Sequence, residues 1–348
     1  MLPLFAALVA ASTAALIFAG GLVTSTGSGL SVPDWPNTYG WFMWAFPVSK
    51  MVGGIFYEHL HRLIASTVGF LIVVLAIWLH RAEPRPWVRR LGYIALAAVI
   101  TQGVLGGITV LWYLPDAISI AHASLAQIVF CLTATIALVT SRGWQSNYQL
   151  PTTNNRLDPG SRIPDPVLQG LGILTTSIIY VQILIGATMR HTGAGLAIPD
   201  FPLAFGHLIP PMWDAKIAIH FAHRVGAATV TLLILAIAGH VFYHHRRGKE
   251  LMHPAILLLL LVAMQVTLGA LTVVSQKQFI INSLHVVNGA FVLVTSLVLT
   301  LRAHRARFAG SASPDTVTQP DSAYVGRAGA TTGQDGSEPW TRRSGARA

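Results

Sequence analysis

Residues 26–36 read TGSGLSVPDWP and residues 192–202 read TGAGLAIPDFP, identical at seven of eleven positions and offset by 166. The echo continues along the chain. QGVLGGITVL at 102–111 returns as QVTLGALTVV at 265–274, His61-Arg62 returns as His223-Arg224, and His122 returns as His285. Four collinear matches at nearly constant offset mark an internal duplication. Around the two copies lie eight apolar runs of the length that crosses a bilayer, about 20 residues each: 3–23, 56–80, 91–112, 117–141, 167–188, 217–243, 254–274 and 280–302. The first run lacks a positive leader segment and leads directly into the repeated loop, so it is read as a helix and not as a signal peptide. Each copy then holds four spans. Because four is even, both copies enter the membrane in the same direction, related by a pseudo-twofold axis along its normal.

Composition agrees. Of 348 residues, 53% are hydrophobic and 10% charged, against roughly 25% charged in a soluble domain. Such a chain cannot clothe a soluble enzyme, and its net charge of +10 lies between apolar runs instead of forming a nucleic-acid-binding face. The single cysteine, Cys131, excludes an intramolecular disulfide and a multi-cysteine zinc site. Its place in the apolar part of the fourth span reads as core. The predicted fold class is an all-α integral membrane protein, with eight transmembrane helices as two pseudo-twofold-related four-helix bundles. Its parts are an N-terminal repeat at 1–141, a polar cytoplasmic linker at 142–166, a C-terminal repeat at 167–302 and a disordered cytoplasmic tail at 303–348. The tail has too few large apolar groups to offset its ordering entropy.

The basic residues set an orientation. Segments after spans two, four, six and eight carry 17 of the 23 Lys and Arg, among them Arg81, Arg85, Arg142 and Arg246. Segments after the odd spans carry Lys50, Arg190, Lys216 and Lys277. Both termini are therefore expected in the cytoplasm of a cell (inner or plasma) membrane protein, with the loops at 24–55 and 189–216 outside.

The 14 histidines sort by position. His80, His240, His244, His245, His253 and His304 fall at the cytoplasmic boundary and read as solvated interfacial groups. His191 and His207 fall in the second outer loop, open between loop packing and ligand contact. The remaining six, His59, His61, His122, His220, His223 and His285, lie within the first two turns of the even spans, all at one depth near the outer face. An ionisable group there is costly unless paired or ligating. His61 with His122, and His223 with His285, give each half a pair on two helices, the donor set of a bis-imidazole haem clamp. Arg62 and Arg224 follow the first histidine of each pair and suit a carboxylate such as a haem propionate; a lipid phosphate is the other reading. Zinc competes as the metal only in the first half, where Glu58 and His61 stand three apart.

At these residues the chain resembles the heme A synthase family, integral membrane proteins that convert heme O to heme A for cytochrome oxidase. The resemblance covers about 1–302 and rests on TGSGLSVPDWP, on EHLHR at 58–62, on His122 with Gln127, and on AHR at 222–224 with His285. It implies haem b held by His223 and His285, the substrate heme O flanked by His61 and His122, and Glu58 as the family's acidic residue. It implies oxidation of the C8 methyl of heme O to a formyl group, through successive hydroxylations. As partners it implies heme O synthase and cytochrome oxidase assembly components beside membrane lipid, with homo-oligomerisation open and no nucleic acid. Many bacterial members carry paired cysteines in the outer loops; here Val32 and Thr38 stand near those positions, which puts a thiol role in doubt and leaves the histidines untouched.

Glu58 in the first half aligns with His220 in the second. An acid beside the reacting methyl can stabilise developing positive charge or move protons; alternatively it orients His59 or His61. The rival functions are a non-catalytic haem-binding oxidase assembly factor, a membrane b-type cytochrome and a transporter. Electron transfer across the bilayer calls for haems at two depths, whereas all four candidate ligands share one.

Overall fold

The computed structural model describes residues 1–146, 165–246 and 248–305. Most of the expected linker and all but three residues of the expected tail lie outside the described residues. The described helices all belong to one compact unit. In chain order they are α1 (Leu2–Ser25), α2 (Gly54–Ala82), α3 (Pro86–Leu111), α4 (Asp116–Thr140), the short α5 (Arg142–Ser146), α6 (Pro166–His191), α7 (Ala215–His244), α8 (Lys249–Val274) and α9 (Phe279–Ala303). All but α5 are long and apolar enough to cross a membrane. Among the described residues there is no strand, only the isolated bridges Thr38–Trp41 and Ala204–His207. The chain is an all-helical, multi-pass membrane protein.

Local chemistry explains the helix starts. Asp165, Asp214 and Gln278 cap α6, α7 and α9, their side chains accepting from the backbone N–H of Leu168, Ile217 and Ile281, which satisfies donors a helix otherwise leaves orphaned. Two starts precede the hydropathy boundaries by five residues, the others by one or two. α3 begins at Pro86, a residue whose fixed φ suits the first helical position, so it gains a polar turn ahead of 91. α8 begins at Lys249 and runs through Pro254, which the apolar pattern treats as the start. Proline lacks the N–H that would bond the carbonyl four residues earlier. Arg302, in the last turn of α9, donates to that carbonyl, of Glu250, at 2.5 Å.

Within the first repeat, α1 packs on α2 and α4, and α3 packs on the same two helices, closing a ring of four. In the second, α6 and α8 each pack on α7 and α9. Between the rings, α1 packs on α9, and α4 on α6 and α9. Exchanging each helix for its repeat partner turns the α1–α9 contact into α6–α4 and leaves α4–α9 unchanged. Each ring has its own apolar core, around Ile72, Leu75 and Ile136 in one and Ile234, Ile237 and Leu258 in the other. Phe130, Val287 and Ala290 join the two. Large apolar side chains such as Phe70, Ile100, Leu232 and Leu260 point outward, as lipid-facing groups do. Lipid is as apolar as leucine, so cohesion rests on close packing and interhelical polar contacts. At one end of the bundle Arg190 donates to the Gly21 carbonyl and Ser25 Oγ, both at 2.8 Å, and Ser25 meets Ser283 at 3.0 Å. These contacts tie the two halves together beside the site described next.

Candidate functional site

The repeated loop is a compact clasp. Asp34 accepts from the backbone N–H of Tyr39 (2.7 Å) and Gly40 (2.8 Å); Asp200 accepts from Phe205 and Gly206 at the same two distances. Tyr39, Gly40, Phe205 and Gly206 all have φ between 50° and 78°. Burial raises the Asp34 carboxyl, but the two N–H donors and the Arg62 charge outweigh it and hold it below its usual range. Asp200 is held low chiefly by the N–H of Gly206 and Phe205.

Arg62 closes the first clasp. Its guanidinium donates to the carbonyls of Asp34 (2.6 Å), Asn37 (3.0 Å) and Val32 (2.9 Å), and to Glu58 (2.6 Å). Arg224 does the same in the second, donating to Asp200 (2.6 Å), Leu203 (2.7 Å) and Ile198 (3.2 Å). The sequence reading aims both arginines at a carboxylate of a bound ligand. In the structure three of the five N–H donors of Arg62 and three of those of Arg224 are spent on loop carbonyls, with a fourth of Arg62 on Glu58, because the DWP and DFP turns leave carbonyls that no helix or sheet satisfies.

Glu58 has a similar employment. Buried to 3% exposure, it takes the Val32 N–H on Oε2 (2.8 Å) and Arg62 on Oε1. At the repeat position His220 Nδ1 takes the matching N–H of Ile198 at 3.2 Å. Glu58 and His220 are thus two solutions to one task, accepting the N–H at the centre of the loop. His59 is as deeply buried and meets Thr38 Oγ1 at 3.0 Å. These three are committed to the clasp.

The other four histidines differ. His61, His122, His223 and His285 lie seven to nine residues into α2, α4, α7 and α9, and all four remain partly accessible. Each is seated on a glycine of the preceding helix: His61 on Gly20, His122 on Gly106, His223 on Gly186 and His285 on Gly269. A Cβ on any of these glycines would stand 2.9–3.2 Å from the imidazole Cε1. Gly20 and Gly186 are repeat partners, as are Gly106 and Gly269. The seats were readable as duplicated glycines, but nothing in one sequence marks a helical glycine as facing a histidine. Nδ1 of His61, His122 and His285 is buried without a hydrogen-bond partner. Glutamine amides fix three of the helices: Gln182 donates to the His223 carbonyl (2.7 Å), Gln102 to that of His122 (2.9 Å) and Gln265 to that of His285 (3.1 Å). The rings of His223 and His285 meet edge to face, with centres 6.4 Å apart. His191, at the end of α6, lies near His122 and Asp116, while His207 is exposed in its loop.

At the opposite end of the bundle, His240 and His245 meet one carboxylate oxygen of Asp165 at 2.7 and 2.9 Å. They are partnered, not solvated as their boundary position suggests. Cys131 is a free thiol packed beside the second core.

Residues 4–298 match the model of the COX15-CtaA family, cytochrome oxidase assembly proteins. The chain belongs to this family. Curated relatives carry the name heme A synthase. One from Geobacillus kaustophilus is 30% identical over 322 residues, 88% of this chain and 96% of the relative. One from Symbiobacterium thermophilum is 30% identical over 284 residues, 79% and 87% of the two chains. One from Shouchella clausii is 28% identical over 297 residues, 84% and 94% of the two.

Proposed function

We propose that this protein is a heme A synthase, a membrane oxidoreductase that converts heme O to heme A, with His223 and His285 holding a resident haem b and His61 and His122 receiving heme O. The observation that carries the reading is the duplicated pair of histidines, each on a glycine seat at one end of a four-helix ring. His223 and His285, on two helices with ring centres 6.4 Å apart, would hold the iron of a haem bound between them. His223 meets the Gln182 amide through Nδ1 at 3.0 Å, which leaves its Nε2 to serve as ligand. No cysteine lies in either loop, so a thiolate set has no part.

When bound, haem supplies the redox chemistry that side chains cannot perform on a methyl group. The protein's own residues do the rest. The glycine seats and glutamine amides fix the rings. The clasps, braced by Arg62 and Arg224, set the start of α2 and α7 and so the height of His61 and His223. We assign Glu58 to positioning: its carboxylate joins Val32 to Arg62 one turn before His61, and both oxygens are in use. The closed set of contacts between rings supports a pseudo-twofold pairing of repeats 1–141 and 167–302. The 17 basic residues after the even spans support cytoplasmic termini and an outward-facing histidine end; reporter fusions after Arg81 and Arg142 that read external would reverse that orientation.

The test is pigment extraction from cells that make heme O but no heme A of their own. Expression of this chain should yield heme A, with haem B retained on the purified protein. Haem B without heme A would favour a non-catalytic assembly factor or a b-type cytochrome.

A further inference from the structure

The two halves match residue for residue around the clasps but not in charge. At the histidine end the first repeat carries Lys50 and Arg62 against Asp34, Glu58 and Asp116, a net −1; the second carries Arg190, Lys216, Arg224 and Lys277 against Asp200 and Asp214, a net +2 with histidines neutral. Three of those cations have uncharged repeat partners: Thr24 for Arg190, Gly54 for Lys216 and Leu114 for Lys277.

These side chains converge. The Lys277 Nζ lies 3.4 Å from where a Cβ of Gly195 would stand, and the Lys216 Nζ 3.9 Å from that of Gly193, so both ammonium groups arrive at one short turn. Lys277 sits at φ 65° after Gln276 at φ 54°; Leu114 follows Tyr113 with φ 58° and 57°, and Leu114 lies on Gly29 as Lys277 lies on Gly195. The backbone device is shared, and only its side chain changes from apolar to cationic. Burial first, then the charges of Arg190 and Lys216, lower the pKa of Lys277. Among the described residues neither lysine has an ion-pair partner; Asp200 and Asp214 give carboxylate oxygens to backbone N–H groups of their own loop and helix cap. Lys216 precedes His223 by seven residues on α7, and Lys277 precedes His285 by eight, the latter starting just ahead of α9. At 1.5 Å per residue, each ammonium root lies about 10–12 Å from its histidine, along the two helices that carry the pair.

We propose that Lys216 and Lys277, backed by Arg190, form an anion seat for the peripheral carboxylates of the tetrapyrrole held between His223 and His285. The inference rests on the functional reading above. It gives the asymmetry a purpose: the second half retains its haem, and the first half, with Thr24, Gly54 and Leu114 in those places, lets its haem exchange as substrate and product. The same cations suit any anionic oxygen cluster, including a lipid phosphate, and the experiment separates the two.

Purified wild-type protein and a Lys216→Gln, Lys277→Gln double variant are mixed with excess apomyoglobin, and haem transfer is followed by absorbance. The double variant should lose its low-spin haem about tenfold faster or more, the effect of roughly one charge-assisted contact. Lys277→Arg should restore slow transfer, and Lys50→Gln, an exposed cation of the first half, should leave it unchanged. Transfer at the wild-type rate from the double variant overturns the anion seat. So does an unchanged rate accompanied by loss of co-purifying anionic phospholipid, which assigns the cations to lipid. A wild-type protein that carries no low-spin haem overturns the functional reading instead.

Discussion

Replacing Gly186 by alanine tests whether the glycine seats hold the histidines in place. The new Cβ would stand 2.9 Å from Cε1 and 3.3 Å from Nδ1 of His223. Ordinary carbon contacts begin near 3.4 Å, so the imidazole must retreat by about half an ångström or tilt away from its partner. Inserting a methyl into a packed site typically costs about 1–3 kcal/mol. Helix propensity acts in the opposite sense, since alanine gains up to about 1 kcal/mol over glycine in a helix. The protein as a whole therefore stays folded while the cost falls on the histidine, and haem affinity drops by about fivefold to a hundredfold. The control is Gly170→Ala on the same helix, where a Cβ meets nothing within 4 Å. The assay is haem per protein and the low-spin absorbance of purified samples, with a thermal melt to verify folding. Gly186→Ala should lose haem and Gly170→Ala should keep it. Full haem occupancy with an unshifted spectrum in Gly186→Ala would refute the seat argument.

Glu58→Gln places an amide donor against either the Val32 N–H or Arg62, leaving a buried donor unpaired; the ratio of heme A to heme O should fall about tenfold, some 1.4 kcal/mol, with haem b unaffected. Glu58→His restores the acceptor that His220 provides in the other half and should recover part of that loss; equal loss in both variants would mean that the carboxylate charge itself takes part. At the other end, burial raises Asp165, but the hydrogen bonds of His240, the Leu168 N–H and His245 dominate and hold its carboxyl below the usual range. A lowered folded-state pKa adds stability above the unfolded value near 4 that is lost as pH falls below it. Thermal melts in detergent between pH 3 and pH 6 should therefore show a steeper acid decline in wild type than in Asp165→Asn, and parallel curves would remove these hydrogen bonds from the account.

Much of this architecture is legible in the sequence because lipid imposes a simple rule: twenty apolar residues make a span. The eight helices follow from that, and the TGSGLSVPDWP repeat finds the two clasps. The boundaries of α3 and α8 escape hydropathy because they depend on Pro86 at a first helical position and on Arg302 reaching the Glu250 carbonyl. The roles of Arg62 and Arg224 escape for a different reason. A guanidinium beside a histidine reads as a ligand contact, whereas its carbonyl acceptors at Asp34, Asn37 and Val32 are backbone atoms of a turn whose shape the sequence does not print. Glu58 is similar: its alignment with His220 is visible, but their shared task of accepting one backbone N–H appears only in three dimensions. The partnership of His240 and His245 with Asp165 spans 75 residues or more of chain and leaves no local pattern.

The central claim is a division of labour between two similar histidine pairs, and the most direct measurement compares the two halves in one assay. His122→Ala and His285→Ala are purified from cells that supply heme O, and each is scored for low-spin haem b and for extracted heme A. His122→Ala should keep the haem b spectrum and make no heme A; His285→Ala should lose both. Loss of haem b in His122→Ala with its retention in His285→Ala would exchange the roles of the halves, and heme A production by either variant at the wild-type level would contradict the account.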